Sequence, residues 1–223
     1  LARFPGMLWP RPSLNGTGRA RDGVALLGKG PLAYFAPWGR AGWEFWGLNE
    51  ATYVPPIDAH TRWFQLHPPR YLKRHHPPGL DDLATNWAAP RGMRVYMDRH
   101  YREYPDSVAY PKAKVEALVP HGRYHASSFD WMLALAILEG FPRIELWGVD
   151  FYQPPVFNGE PIAARPCLEY WIGVAEGRGI EVEMHTLSDM LRTVHLARLV
   201  SDLQYGWDRE PGLELGDGWQ DLR

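Results

Sequence analysis

Residues 127–152 read SSFDWMLALAILEGFPRIELWGVDFY, and this stretch decides the fold. Ser127 or Ser128 can cap the exposed amides of a first helical turn, and Asp130 stands three residues after Ser127 as in a capping box. Gly140 can stop the helix, because glycine enters the left-handed conformation without penalty. Leu133, Ala136, Ile137 and Gly140 share one helical face, and small Ala134 and Ala136 permit close approach to a sheet. Arg143 to Val149 then reads as a strand running into Asp150-Phe151-Tyr152.

The same alternation extends outward. Downstream, a helix over about Pro166 to Gly177 precedes the alternating strand Ile180 to Met184, and a further helix is expected near Asp189 to Tyr205. Upstream, Val24-Ala25-Leu26-Leu27 is a buried-strand run emptying into Gly28-Lys29-Gly30-Pro31. Glu44 to Asn49, Arg62 to His67 and Met93 to Met97 are short segments dense in aromatic and apolar residues. Helices alternating with single strands predict an α/β, Rossmann-like fold: one domain with a largely parallel sheet and helices on both faces. The domain is expected over residues 23–205, with an N-terminal arm at 1–22, an insertion or lid at about 68–90, and a C-terminal tail at 206–223.

Composition bounds the function. With 223 residues, 45% hydrophobic and 22% charged, the chain has ordinary globular make-up and enough length for one substantial core. No apolar run reaches the ~20 residues of a membrane span, and the first residues lack a signal-peptide core, so a cytoplasmic protein is expected. Cys167 is the single cysteine, which excludes an internal disulfide and a multi-cysteine metal site. The net charge of −2 gives no global attraction to nucleic acid. Locally, Arg62, Arg70, Lys73, Arg74, His75 and His76 form a basic stretch that reads either as a phosphate contact or as a solvated loop.

In an open parallel sheet the ligand crevice lies beyond the carboxyl ends of the strands, so polar residues there are the candidates. Gly28 and Gly30 allow close backbone approach, and nearby amides could hold phosphate; the same residues also read as an ordinary turn. Asn49 and His67 follow apolar strands, where Asn can pair with a base or ribose edge and His can move a proton; a turn former and a surface histidine are the structural alternatives. Of Ser127 and Ser128, one is expected to cap the helix and the other to face the cleft. Asp150 can hold a sugar hydroxyl or base and Tyr152 can stabilise a leaving phosphate, or both can serve in turn capping and wall packing.

Together these stretches resemble the bacterial sialyltransferase family that uses CMP-sialic acid and, more loosely, nucleotide-binding proteins that include an archaeal pterin diphosphokinase. The stretches that carry the likeness are Gly28-Lys29-Gly30-Pro31-Leu32, Gly47-Leu48-Asn49, Phe64-Gln65-Leu66-His67, Ser127-Ser128 and Gly148-Val149-Asp150-Phe151-Tyr152. The resemblance implies that Gly28, Gly30, Asn49 and Ser128 contact the nucleotide and that Tyr152 supports its phosphate. Lys29 and Leu32 depart from the family's Asn and Ser, and residues 153–165 lack the family's catalytic lid histidine. The chain also resembles uncharacterised bacteriophage proteins with a Trp-Gly-Val-Asp block, which implies a phage origin, the host cytoplasm, and nucleotide or DNA modification as a setting.

The expected function is a nucleotide-dependent transferase, glycosyltransferase-like, using a nucleotide or nucleotide-sugar donor as substrate. No tightly bound cofactor and no metal are expected. The acceptor is a small molecule or a nucleic acid. His67, Asp150 and Tyr152 are the candidate catalytic residues, and Gly28, Lys29, Gly30, Asn49, Ser127 and Ser128 the nucleotide-binding ones. His125 and His185 are further candidates for the base. The alternatives are a non-catalytic nucleotide-binding or phage structural module, and a diphosphotransferase or hydrolase.

Overall fold

A computed structural model describes residues 21–49, 59–67, 93–151, 160–188 and 190–191. The chain divides into two compact units, Leu1–Ser188 and Asp189–Arg223, and every element named below belongs to the first. The 68–90 insertion, the 206–223 tail, nearly all of the arm and all but Met190 and Leu191 of the helix expected near Asp189 to Tyr205 lie outside the described residues.

Seven strands form one sheet: β1 (Gly23–Leu27), β2 (Trp43–Leu48), β3 (Arg62–Phe64), β4 (Arg94–Met97), β5 (Ser107–Ala109), β6 (Arg143–Trp147) and β7 (Glu181–His185). Their order is β5-β4-β3-β2-β1-β6-β7, and every pairing is parallel. β1 lies inside because Val24, Ala25, Leu26 and Leu27 are 0% exposed, as a strand covered on both faces requires. β7 lies at the sheet's edge, with Glu181 exposed and its other four residues half-buried. The chain travels outward from β1 to β5, then returns to place β6 on the other flank of β1. That reversal between β1 and β6 is the point where open α/β sheets hold their ligands.

Three helices are described: α1 (Lys112–Glu116), α2 (Ser128–Leu138) and α3 (Glu160–Gly177). Ser127 caps α2 in a reciprocal capping box with Asp130. At its other end Gly140, at φ +73°, donates to Ile137 O and Phe141 N donates to Ala136 O, the Schellman pattern that ends a helix. Both signals were local in sequence and both operate. α2 is apolar on all sides because it is buried from Met132 to Ile137, whereas α3 buries one stripe: Ala164, Cys167, Leu168, Trp171, Ile172 and Ala175.

On one face of the sheet Trp46 meets Phe141 at the end of α2 edge-on, with ring centroids 5.5 Å apart. On the other, Ala25, Leu27, Trp43 and Phe45 are closed over by Ala36 and Trp38. β1 is followed by a single 3-10 turn, Pro31–Phe35.

Arg62 departs from the basic stretch read in the sequence. It is 4% exposed, donates to Glu139 at 2.6 and 2.8 Å and to Glu44 at 3.0 Å, and lies over the Trp46 ring. Arg21 joins the same two carboxylates. Burial works against the Arg62 charge, but the hydrogen bonds and charges of Glu139 and Glu44 outweigh it and raise its pKa. Burial likewise pushes the Glu139 carboxyl up, and Arg62 and Arg21 more than reverse it, leaving it below the usual carboxylate range. Arg62 is thus a structural ion, joining β2, β3 and α2. Arg70 to His76 lie outside the described residues.

Candidate functional site

The β1 and β6 tips interlock through backbone. Gly28 N donates to Trp147 O at 2.8 Å and Gly30 N to Gly148 O at 2.9 Å. A Cβ on Gly28 would stand 2.5 Å from the Gly148 carbonyl carbon, and one on Gly148, whose φ is +62°, would stand 2.5 Å from Gly30 O. The glycines therefore permit strand-to-strand contact. The amides of Gly28 and Gly30 themselves are given to carbonyls at the end of β6 and at Gly148. Lys29, between them, is exposed.

Asp150 is seated against this loop: a Cβ on Gly30 would come within 2.8 Å of its carboxyl carbon. One carboxylate oxygen, Oδ1, accepts from the Thr186 hydroxyl and from Leu187 N at 2.7 Å. Asp150 thus does fasten a turn, the one after β7. Its other oxygen, Oδ2, accepts no hydrogen bond from the described residues and faces Gly30.

Beyond β2 and β3 lies a second group. Asn49 adopts the left-handed backbone (φ 45°), its N–H donates to Phe64 O at 2.9 Å, and its Oδ1 is buried with no partner among the described residues. Gln65, the first residue past β3, is 3% exposed; its N–H donates to Tyr96 O at 2.9 Å and its Oε1 is likewise buried with no partner among the described residues. Buried polar atoms are almost always satisfied, so two acceptors without a partner among the described residues, one past β2 and one past the neighbouring β3, set this sheet edge apart. Sequence reading passed over Gln65. Its signal was a polar residue set between Phe64 and Leu66 in an apolar segment. His67 lies three residues past the end of β3 and is half-buried.

The amino end of α2 is tied to the β6 tip by the Phe129–Phe151 ring pair, with centroids 6.3 Å apart. Ser127 caps, as one of the two serines was expected to; Ser128 is half-buried and opens the helix. Tyr152 lies outside the described residues.

Two other histidines are engaged in structure. His125 Nδ1 lies 3.0 Å from Asp130 Oδ1 and Nε2 3.1 Å from Gly122 O, and the ring stacks on Trp131 at 3.5 Å and on Trp171 at 4.8 Å. With its side chain 2% exposed, His125 is sealed from any acceptor. His185 stacks on Trp147 at 3.6 Å, with Nε2 3.1 Å from Glu183 Oε1. Glu145, Glu183 and His185 bring ligand-type atoms within 4.8 Å of one another. Arg143, however, pairs with both carboxylates, and Trp147 Nε1 donates to Glu145 at 2.9 Å. A cation here would have to displace a guanidinium, so this group is an ion-pair ladder across β6 and β7.

Gly28, Gly30, Asn49, Gln65, His67, Ser128 and Asp150 thus all lie at the carboxyl edge, and direct contacts join Gly28 and Gly30 to the Gly148–Asp150 segment. An open groove lined by Glu116, His121, Arg123, Tyr124 and Tyr170 lies elsewhere, on the loop before α2 and the flank of α3. No helix among the described residues is long and apolar enough to cross a membrane.

The parallel sheet and its reversal at β1 define a Rossmann-like α/β protein. No protein family's sequence profile matches the chain, and no curated protein matches it. Among solved structures it is similar to the sialyltransferase CstII from Campylobacter jejuni in complex with the substrate analogue CMP-3FNeuAc: 17% identity over 73% of this chain and 79% of that one, with a TM-score of 0.49. CstII in complex with cytidine-5'-monophosphate gives 15% identity over 77% and 82% of the two chains, with a TM-score of 0.49. CST-II with a trisaccharide acceptor and CMP gives 16% over 75% and 81%, with a TM-score of 0.48. The class rests on the strand order, not on this likeness.

Proposed function

We propose that this chain is a nucleotide-dependent transferase of glycosyltransferase type, which takes a nucleotide-sugar donor and passes the glycosyl group to a small-molecule or nucleic-acid hydroxyl. The observation that carries this reading is the pair of carboxamide oxygens of Asn49 and Gln65, buried and without a partner among the described residues, at the same carboxyl edge of the sheet as an Asp150 carboxylate with one oxygen that no described residue bonds. Such acceptors suit the hydroxyls and amines of a nucleoside or sugar. The sequence resemblance to CMP-sialic acid-dependent sialyltransferases points the same way.

In this reading Asn49, Gln65 and Asp150 hold the nucleoside and sugar, Gly28 and Gly30 allow their close approach, and Ser128 faces the phosphate with Lys29 as a nearby cation. Tyr152 supports the leaving phosphate. His67 takes the proton of the acceptor hydroxyl as its oxygen bonds to the anomeric carbon and the bond to the phosphate oxygen breaks. His67 is preferred for its place just past β3 at the carboxyl edge of the sheet, whereas the His125 side chain is buried beneath Trp131 and Trp171.

A non-catalytic nucleotide-binding module is the second reading, favoured by the lack of histidine in residues 153–165. Titration with nucleoside mono- and triphosphates and nucleotide sugars tests the binding shared by both. Binding should protect the fold against heat and be weakened at least tenfold by Asn49→Ala. Absence of binding across the panel overturns both readings. Mass spectrometry after incubation with donors and acceptors separates them, since any transferred glycosyl group rejects the module.

A further inference from the structure

We infer that Thr186 is a positioning residue that fixes Asp150 as a one-oxygen acceptor for a sugar hydroxyl of the bound nucleotide, an assignment that rests on the nucleotide-binding reading above. Thr186 is 7% exposed and sits immediately past β7, across β6 from the glycine loop. Its hydroxyl donates to Asp150 Oδ1, while Ser188 N donates to Thr186 Oγ1 at 3.0 Å and Ser188 Oγ lies 3.0 Å away. The same hydroxyl lies 2.9 Å from Val149 O, so its single proton faces three acceptors, of which the Asp150 carboxylate is the charged one and the strongest. Leu187 N adds a second donor to the same carboxylate oxygen at 2.7 Å.

The result is an asymmetric carboxylate. Oδ1 is held by two donors of the β7 turn, which directs Oδ2 toward Gly30, where only a glycine leaves room for it. An ionised carboxylate accepts and does not donate, so its free oxygen selects a hydroxyl or amine and repels phosphate. The neighbouring amides of Gly28 and Gly30 are already bonded to carbonyls and offer a phosphate nothing in exchange. At this corner of the edge the ligand chemistry is therefore a ribose or glycosyl hydroxyl, and Thr186 sets the angle at which Asp150 meets it.

The test is a discrimination ratio. Affinities of the four ribonucleoside 5'-monophosphates are measured by calorimetry, and the tightest is compared with its 2'-deoxy and 3'-deoxy counterparts. The wild-type protein should prefer the ribonucleotide over one deoxy form by about tenfold, the size of one hydrogen bond to a charged group. Thr186→Val should bring that ratio close to one while leaving deoxynucleotide affinity within about twofold, and Thr186→Ser should keep the wild-type ratio. Should Thr186→Val fail to fold, Asp150→Asn and Ser188→Ala carry the same comparison, with the ratio lost in the first and reduced in the second. A folded Thr186→Val that retains the ratio overturns the inference, as does a wild-type protein that binds ribo- and deoxyribonucleotides equally. Failure of every nucleotide to bind would instead strike the parent reading, and this one with it.

Discussion

Gly28→Ala should unfold the central sheet at markedly lower temperature without touching any apolar core residue. The new methyl would stand 2.5 Å from the Gly148 carbonyl carbon and 2.9 Å from Val149 N, where ordinary contact begins at 3.4 Å. Both neighbours are backbone, so no side chain can swing aside, and the β1 and β6 tips must part by about 1 Å. Parting them stretches the Gly28–Trp147 and Gly30–Gly148 hydrogen bonds, now 2.8 and 2.9 Å, out of range. Two lost bonds at ~1 kcal/mol each, with overpacking at ~1–3 kcal/mol, give a destabilisation of about 3–5 kcal/mol. That is a large part of the ~5–15 kcal/mol that holds a domain folded, and in a chain this long corresponds to a fall in Tm of roughly 6–20 °C. Thermal and urea unfolding followed by circular dichroism measure it. A Gly28→Ala protein within about 2 °C of wild type would refute the strand-packing argument. If such a protein were defective in nucleotide binding, ligand approach would be the glycine's sole role.

Other consequences can be checked on the same preparations. Gln65→Met removes a buried acceptor that has no partner among the described residues, so unliganded stability should hold or rise by up to ~2 kcal/mol in denaturant titration, while nucleotide affinity falls. Arg62→Leu strands Glu44 and Glu139 together with Arg21 and should cost about 3–5 kcal/mol at neutral pH, read by urea unfolding. Because Glu139 titrates below its ordinary range in the folded protein, its stabilisation is complete above about pH 5 and is lost as pH falls through that lowered value. The wild-type Tm should therefore drop on acidification below about pH 5, and Arg62→Leu should flatten that slope. Ser127→Ala removes the cap of α2 and should cost about 1 kcal/mol in the same unfolding assay.

The parts of this molecule that were legible in the sequence are those whose cause is local. The Ser127–Asp130 box, the Gly140 stop and the apolar run of β1 each depend on residues a few positions apart, and each operates as read. β5 was missed because three residues, Ser107–Ala109, hold too little pattern to show a period, and α1 is barely longer. The role of Arg62 was illegible because its partners stand 18 and 77 residues away. The same distance hides the chemistry of the edge. Sequence reports which groups arrive at a strand tip, but the neighbouring strand decides which of their atoms remain for a ligand. Gly28 and Gly30 arrive with amides, and β6 takes them. Asp150 arrives with two oxygens, and the turn after β7 takes one. Asn49 and Gln65 arrive with backbone and side chain; the adjacent strands take the backbone N–H groups, and each carboxamide oxygen is left without a partner among the described residues. Acceptor oxygens are left at these positions, so a ligand seated there would have to bring donors to them.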